Sequence, residues 1–278
     1  MFSCQYLINI QIICILLLLT INQPTIIEST GQLEYRIQNG FPVKIGEFPM
    51  VVLLLGRKHR CTGTIISKDK ILTAGHCACG DPTYKVYANV TDLDSRYSSY
   101  AQYRQADSVA YPVAYRNQCH AINLGLTDNQ DLLGGSPDIS IFILDKPFNL
   151  EKGYVEIGSL GYEMPTFSGE EENTTTAADV IILGYGEDEA SDRVGQLRFG
   201  IIKLSECPNN INIPTKGALC ANINSNEQGP DVGDSGGPIF NEDGHVIGIT
   251  SIAGNGWFVF SSVATHRKFI QSVINDNF

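Results

Sequence analysis

The chain has 278 residues, 43% of them hydrophobic, and this length suits one or two domains of roughly 100–200 residues each. Its 30 acidic and 19 basic residues give a formal net charge of −11, which repels the phosphate backbone of nucleic acids. The composition therefore argues against a nucleic-acid-binding protein and allows a globular chain with a sizeable buried core.

The amino-terminal segment differs from the rest of the chain. The run from Tyr6 to Ile21 is rich in Ile and Leu but shorter than the ~20 apolar residues that a spanning helix needs. It predicts a secretory signal peptide at residues 1–22 and a pro-segment at residues 23–36, and hence a secreted, extracellular protein without a membrane anchor. No Lys or Arg precedes the run, so only the amino terminus supplies positive charge there. The alternative is a signal anchor that stays in the membrane.

Residues 37–278 are expected to form the mature domain. Short runs rich in Ile, Val, Phe and Thr and bounded by turn residues predict β-strands. These runs cover residues 50–55, 64–66, 139–144, 180–183, 197–204, 246–252 and 258–263. Helical spacing is nearly absent before the carboxyl end, where Phe269, Ile270, Val273 and Ile274 predict one short helix. The pattern indicates an all-β sandwich or barrel.

His76 and Asp138 stand in settings that suggest chemistry. His76 follows a strand-like run and directly precedes a cysteine, and Asp138 opens the strongly apolar run 139–144. Each has an ordinary explanation when taken alone, as a solvated histidine or a turn-forming aspartate. An aspartate can, however, fix the tautomer of an imidazole and stabilise its charged form.

The most specific motif is the string GDSGGP at residues 233–238. A serine hydroxyl needs a base and an oxyanion site to become a nucleophile, and flanking glycines let the backbone turn tightly around it. A plain surface turn would use the same residue types, but Asp234 separates this string from the Gly-x-Ser-x-Gly elbow of α/β-hydrolases. With His76 and Asp138, Ser235 predicts a catalytic triad that requires no metal and no cofactor.

The cysteines predict disulfides. Two of the eight lie in residues 1–22, and the six that remain suggest three disulfides in an oxidising compartment. A zinc site is the alternative, but Cys77 and Cys79 are only two positions apart, which is too tight for a zinc knuckle, and the chain has no CxxC. Sequons at Asn89 and Asn173 predict glycosylation. Asp92 and Asp94 lack the glycine and glutamate of an EF loop, so they are interpreted as solvated charge.

Residues 37–278 resemble the chymotrypsin (trypsin-like) family of serine proteases along their whole length. The strings at residues 73–77 and 138–141 are similar to the family's histidine and aspartate motifs, with Gly75 where alanine is commoner, and residues 233–238 match its serine motif. The resemblance implies two antiparallel six-stranded β-barrels with a boundary near residue 150 and an active site in the cleft between them.

The same resemblance assigns further roles. Ser251 resembles the serine that lies beside the buried aspartate and pairs with the substrate backbone, and the N–H groups of Gly233 and Ser235 would form the oxyanion hole. A trypsin-like protease would activate the chain after Arg36. The freed ammonium of Ile37 would then pair with Asp234 and bring the oxyanion hole into shape.

The resemblance also implies disulfides. Cys61 and Cys77 resemble the pair that flanks the catalytic histidine, and Cys207 and Cys220 the pair before the specificity pocket. Cys79 and Cys119 would then form the third.

The pocket that receives the residue before the scissile bond departs from the family. Gly229 stands where trypsin-type enzymes place an aspartate, and Asp231 replaces a cysteine of the pocket disulfide. Ala253 and Phe258 stand where small residues form the walls. Without a buried carboxylate, apolar residues are expected before the scissile bond rather than Arg or Lys. If Phe258 forms the floor, Ala, Val or Leu should be preferred over Phe or Tyr; if it points away, the aromatic residues should win.

Two functions remain open from the sequence. The first is a secreted serine endopeptidase acting on proteins or peptides and open to protein inhibitors. The second is a catalytically weak or inactive homologue that acts as a binding or decoy protein, which the departures at the pocket favour and the intact triad opposes.

Overall fold

A computed structural model describes residues 37, 39–57, 59–79, 83–123, 137–152, 154–167, 178–186, 195–209, 215–226 and 228–276. The strands in this part of the chain are β1 (Phe41–Pro42), β2 (Val51–Leu55), β3 (Arg60–Ser67), β4 (Lys70–Thr73), β5 (Lys85–Ala88), β6 (Gln102–Ala110), β7 (Ser140–Leu144), β8 (Asp179–Gly184), β9 (Arg198–Lys203), β10 (Ala218–Asn222), β11 (Pro238–Phe240), β12 (Val246–Gly254) and β13 (Trp257–Ser262). The α-helices are α1 (Gly75–Ala78), α2 (Val113–Asn123) and α3 (Arg267–Ile274), and 3₁₀ turns lie at Ser95–Tyr97, Leu150–Lys152 and Ile223–Ser225.

The first six-stranded unit is a closed antiparallel barrel in the order β2-β3-β4-β7-β6-β5. Its strands bury β-branched and aromatic side chains such as Val52, Ile65 and Phe142, which suit a pleated, packed surface. Thr73 at the end of β4 is the Cα partner of Ser140 at the start of β7. This register brings the segment after β4, which carries His76, beside the segment before β7, which carries Asp138.

The second sheet has seven strands in the order β1-β9-β8-β11-β12-β13-β10. An isolated antiparallel bridge joins Ser205, just after β9, to Cys220 in β10, so the sheet curls back towards its own edge. The predictions of a mostly β fold and of a short carboxyl-terminal helix are confirmed. The sequence did not predict β1, a two-residue strand near the start of the domain that pairs with β9.

Helix α2 corrects the expectation that no helix precedes the carboxyl end. Among its described side chains, only Tyr115 and Cys119 are buried, and they lie four residues apart on one face. Such a short contact face produces no apolar stripe for periodicity to detect. The helix is held instead by a disulfide from Cys119 to Cys79, which directly follows α1.

Several predicted features lie outside the described residues. They are the signal peptide at residues 1–22, the pro-segment at residues 23–36 with its cleavage position at Arg36, and the sequon at Asn173. Among the helices that are described, none combines the length and the apolar character needed to cross a membrane.

Candidate active site

His76 and Asp138 form a close, partly shielded pair. The Nδ1 atom of His76 lies 2.8 Å from Oδ2 of Asp138, and the backbone N–H of His76 donates to Oδ1 at 2.8 Å. The His76 side chain is 21% exposed, whereas that of Asp138 is only 1% exposed. One nitrogen of the imidazole is therefore fixed by a buried carboxylate, and the ring keeps contact with solvent.

Two serines of the second sheet complete the surroundings of Asp138. The hydroxyl of Ser251 in β12 donates to Oδ2 at 2.6 Å, and that of Ser261 in β13 donates to the Asp138 carbonyl oxygen at 2.8 Å. Ser251 was predicted from the sequence, but Ser261 was not, because nothing in its local pattern indicates a contact so far along the chain. Asp138 is thus held by both sheets.

The pair shifts the pKa of both members. Burial alone would lower the pKa of His76, but the negative charge and hydrogen bond of Asp138 outweigh it and raise the pKa. Burial would likewise raise the pKa of Asp138, yet the charge and hydrogen bond of His76 and the hydroxyl of Ser251 lower it. The arrangement favours a charged imidazole beside an ionised carboxylate.

The loop that carries Ser235 packs against the segment that carries His76. The Ser235 carbonyl oxygen accepts the backbone N–H of Thr62 at 2.9 Å and lies 3.6 Å from Sγ of Cys77. A Cβ on Gly236 would overlap the Thr73 hydroxyl and come within 2.8 Å of the Ala74 nitrogen. The structure therefore brings Ser235 beside the residue that follows His76.

Gly233, predicted for the oxyanion site, adopts a backbone conformation that glycine favours. Its φ is +94°, a region that residues with a Cβ rarely enter. Its carbonyl oxygen accepts the Thr62 hydroxyl at 3.1 Å, and the same hydroxyl accepts the backbone N–H of Tyr185 at 2.9 Å. Thr62 therefore ties the first barrel to the loop before Ser235. It is a second contact that sequence reasoning missed.

Asp234 is fully buried beside this loop. Its Oδ1 accepts the backbone N–H of Gly186 at 2.7 Å, and its Oδ2 accepts that of Asp231 at 2.9 Å. Burial raises its pKa to about 7, although these two donors and the charge of Arg60 oppose the rise. A Cβ on Gly184 would overlap the carboxylate, so the site requires glycine there.

Ile37, the predicted new amino terminus, is already buried in the uncleaved chain. It is 1% exposed and packs with apolar side chains of the second sheet such as Ile182 and Ile202. A Cβ on Gly200 would come within 2.6 Å of its Cγ2 atom. Its φ is +31°, which is uncommon for a β-branched residue.

The predicted pocket residues also meet. A Cβ on Gly229 would overlap the tip of the Phe258 ring, and Phe258 is 3% exposed. Phe258 is the Cα partner of Ala253, whose side chain is exposed, and the hairpin between them turns at Asn255–Gly256, both with positive φ. Phe258 thus lies against Gly229.

The three disulfides join Cys61 to Cys77, Cys207 to Cys220 and Cys79 to Cys119; the first two are the pairs that the family resemblance suggested, and the third is the pair left by elimination. Cys61 and Cys77 also approach His76 within the distances of a metal site. Because both sulfur atoms are bonded to each other, they cannot serve as thiolate ligands. This group is therefore a histidine beside a disulfide.

Tyr115 is a further residue that the sequence did not reveal. A Cβ on Gly75 would come within 2.5 Å of the Tyr115 ring, so the glycine that replaces the commoner alanine makes room for it. Burial raises the pKa of the Tyr115 hydroxyl, and the negative charge of Asp138 adds to the effect.

His266 had no suggestive setting in the sequence, and it is 8% exposed in the structure. Burial lowers its pKa to about 4, although the negative charge of Asp138 opposes this shift.

The environment of Asn89 argues against the glycan predicted there. The residue is 6% exposed, and its Nδ2 atom donates to the Tyr100 carbonyl oxygen at 3.1 Å. A sugar attached to Nδ2 would replace one of its two hydrogens and would need more space at the surface than this side chain has.

Comparison with known proteins places this geometry in a family. The family model described as Trypsin matches residues 37–265. The cercarial protease of Schistosoma mansoni is 28% identical over 225 residues, which cover 77% of this chain and 79% of that protein. Lectizyme of Glossina austeni is 29% identical over 233 residues, covering 78% and 76%. Mouse vitamin K-dependent protein C is 24% identical over 278 residues, and the match spans 55% of that longer protein.

Solved structures share the fold. Human heparin binding protein superposes with a TM-score of 0.65 at 21% identity, covering 85% of this chain and 96% of that one. The match of the family model over most of the chain decides the assignment. The chain belongs to the trypsin family of serine proteases.

Proposed function

We propose that the protein is a secreted serine endopeptidase in which His76, Asp138 and Ser235 form the catalytic triad. The observation that carries the proposal is the buried Asp138 carboxylate on Nδ1 of His76, which leaves Nε2 as the nitrogen that can take a proton. Ser235, whose backbone contacts the neighbour of His76, supplies the nucleophile. His76 removes its proton during attack and returns a proton to the leaving amine, while Asp138 stabilises the imidazolium.

The N–H groups of Gly233 and Ser235 are proposed to stabilise the oxyanion. Donors aimed at the developing charge contribute much of the acceleration in acyl transfer, because they need no rearrangement during the reaction. The positive φ of Gly233 and the bond from Thr62 to its carbonyl oxygen support this role, since both fix the direction of the loop.

Cleavage after Arg36 is proposed to switch the enzyme on. Asp234 is a buried carboxylate whose charge is costly, and its pKa near 7 expresses that cost. The ammonium of a new amino terminus at Ile37, a residue already buried in the second sheet, would neutralise it. A trypsin-like protease is the activator that an arginine at this position suits.

The preferred residue before the scissile bond is proposed to be small and apolar. Gly229 offers no carboxylate, and an unpaired Arg or Lys head group would cost several kcal/mol to desolvate. The Phe258 ring against Gly229 limits the depth available, so Ala, Val or Leu should be cleaved after in preference to Phe or Tyr. Ser251 in β12 would pair with the substrate backbone, and Ala253 in the same strand would form part of the pocket wall.

Titration of the active site tests the proposal. Protein cleaved by trypsin should react with a fluorophosphonate probe at Ser235, and Ser235→Ala should abolish labelling and reduce peptide hydrolysis roughly 10⁴-fold or more. Arg36→Gln, treated in the same way, controls for activation. A cleaved, folded protein that neither reacts with the probe nor hydrolyses any library peptide would instead support the binding homologue. The Phe258 ring against Gly229 is the observation that favours this second function.

A further inference from the structure

Helix α2 lies beside the segment that carries His76, and a disulfide fixes it there. Cys119 on α2 is bonded to Cys79, the residue directly after α1, which itself contains His76. Apolar packing adds little to this tie, because Tyr115 and Cys119 are the buried residues among the described side chains of the helix. What the disulfide holds against the proposed site is therefore a tyrosine.

Tyr115 fills the space beside Gly75, the residue before His76. Its side chain is 1% exposed, and its ring stacks on that of Tyr111 with 5.8 Å between the ring centroids. A Cβ on Gly75 would come within 2.5 Å of Cζ, the ring carbon that bears the hydroxyl. The hydroxyl end of the ring therefore lies against the backbone that leads into His76.

The Tyr115 hydroxyl is buried close to Asp138 without a well-formed hydrogen bond. Its oxygen is shielded from solvent, and no partner of good geometry occurs in the part of the chain that the structure describes. Burial raises the pKa of this hydroxyl, and the negative charge of Asp138 and the approach of the hydroxyl to that carboxylate add to the rise. A buried hydroxyl without a partner is costly, and its hydrogen can turn towards an acceptor.

Asp138 has room for one more donor. An ionised carboxylate accepts about four hydrogen bonds. The Nδ1 atom of His76 and the hydroxyl of Ser251 lie 2.8 and 2.6 Å from Oδ2, and the backbone N–H of His76 lies 2.8 Å from Oδ1. Within the described residues, Oδ2 is thus occupied twice and Oδ1 once. The acceptor with spare capacity and the hydroxyl without a partner belong to the same small region.

We propose that the Tyr115 hydroxyl is a further donor to Asp138 and that α2, tied down by its disulfide, is the brace that holds it there. Tyr115 is then a positioning residue, which acts on His76 through Asp138. This inference deepens the proposed function, since it concerns the same triad. A further donor draws negative charge from the carboxylate, which then stabilises the imidazolium less strongly. The brace therefore moderates the rise in the pKa of His76 that Asp138 causes.

The other titratable groups near Asp138 keep one charge state while His76 titrates. His266, just before α3, feels the same negative charge, but burial lowers its pKa to about 4, so it stays neutral there. The raised pKa of Tyr115 keeps its hydroxyl protonated. Among the described residues on which the charge of Asp138 acts in this way, only His76 changes its own charge in that range.

An NMR titration tests the contact without any need for catalysis. The protein is uncleaved Ser235→Ala with ¹³Cε1-labelled histidine, and the signal of His76 is assigned by its loss in His76→Gln. We expect Tyr115→Phe, which removes only the hydroxyl, to raise the pKa of His76 by up to about one unit, because a hydrogen bond to a charged group changes an equilibrium about tenfold. No shift, or a downward shift, would overturn the proposal.

Tyr111→Phe is the matched control. It removes a hydroxyl from the ring stacked on Tyr115, and burial alone raises the pKa of that hydroxyl. The variant should leave the pKa of His76 unchanged. Equal shifts in the two variants would mean that the whole aromatic pair, and not the contact with Asp138, acts on the imidazole, and this would overturn the assignment.

Removal of the disulfide tests the brace. The double variant Cys79→Ser, Cys119→Ser should raise the pKa of the catalytic imidazole as Tyr115→Phe does, and the two changes together should raise it no further than either alone. The control is Cys207→Ser, Cys220→Ser, which breaks a disulfide in the second sheet and should leave this pKa unchanged. Additive shifts would overturn the role of the disulfide in holding Tyr115.

A kinetic experiment tests the link to catalysis. For the processed enzyme, the acid limb of kcat/KM should move upward in Tyr115→Phe by the amount found by NMR and should stay in place in Tyr111→Phe. A tyrosine that only packs would change the free energy of unfolding and leave the limb where it is, which would refute the inference. Hydrolysis of no peptide by any form would refute the proposed function and leave the NMR titration to decide the contact.

Discussion

Replacing Asp234 with asparagine in the uncleaved chain tests how this buried carboxylate is accommodated. Asp234 is fully buried, and its pKa of about 7 lies well above the ordinary 3.8. A folded-state pKa raised in this way means that the native protein binds a proton which the unfolded chain releases. The contribution of Asp234 to the stability of the uncleaved protein should therefore be most favourable below about pH 4 and become less favourable as the pH rises towards 7.

The size of the effect follows from the same values. A pKa of about 7 against 3.8 means that the charged carboxylate destabilises the folded, uncleaved protein by at most about 4 kcal/mol at high pH. Asparagine removes the charge, but its amide has one acceptor oxygen, so one of the donors at Gly186 and Asp231 loses its partner at a cost of about 1–3 kcal/mol. Asp234→Asn should thus stabilise the uncleaved protein by about 1–3 kcal/mol near pH 8 and by nothing, or less, near pH 4.

Urea unfolding of both proteins across this pH range measures the difference directly. Asp243→Asn, an exposed aspartate in the turn between β11 and β12, is the control and should show no pH-dependent difference. After cleavage at Arg36 the sign should reverse, because the new ammonium of Ile37 would lose its partner in the variant. A stability difference between the uncleaved proteins that does not change with pH would refute the reasoning.

Three further changes probe the site. Because Asp138 raises the pKa of His76, the acid limb of kcat/KM for the processed enzyme should lie above about pH 6.5; a limb well below that value would mean that the carboxylate does not act on the imidazole. Gly75→Ala should lower kcat/KM because the new Cβ meets the Tyr115 ring, and adding Tyr115→Leu should restore much of it; no recovery would show that the ring is not the cause. Phe258→Val should improve cleavage after Phe or Tyr in a peptide-library profile and reduce the free energy of unfolding by about 1–3 kcal/mol, whereas an unchanged profile would place the ring outside the pocket.

The sequence predicted what is encoded in short strings. His76, Asp138 and Ser235 each stand in a local motif, and the runs of Val, Ile and Phe mark the strands that carry them. The seven predicted runs all overlap strands of the two sheets. The strands could be predicted locally because a β-branched or aromatic run bounded by turn residues carries that signal within a few positions.

What the sequence could not predict depends on contacts between distant segments. Thr62 bonds to Gly233, 171 residues away, and Ser261 to Asp138, 123 residues away, and neither has a local signature. Helix α2 was not predicted because it is held by a disulfide and a single buried tyrosine and has no apolar stripe.

The backbone of Ile37 has a consequence for the direction of activation. At φ +31° its Cβ is crowded against neighbouring backbone atoms, and such conformations cost of order 1–3 kcal/mol. Hydrolysis of the bond before Ile37 removes the preceding carbonyl, and with it the torsion that produces the crowding. The uncleaved chain therefore holds strain at the Ile37 backbone that the proposed cleavage would release. Resealing the bond would have to restore this strain, which would disfavour return to the precursor roughly 5- to 150-fold.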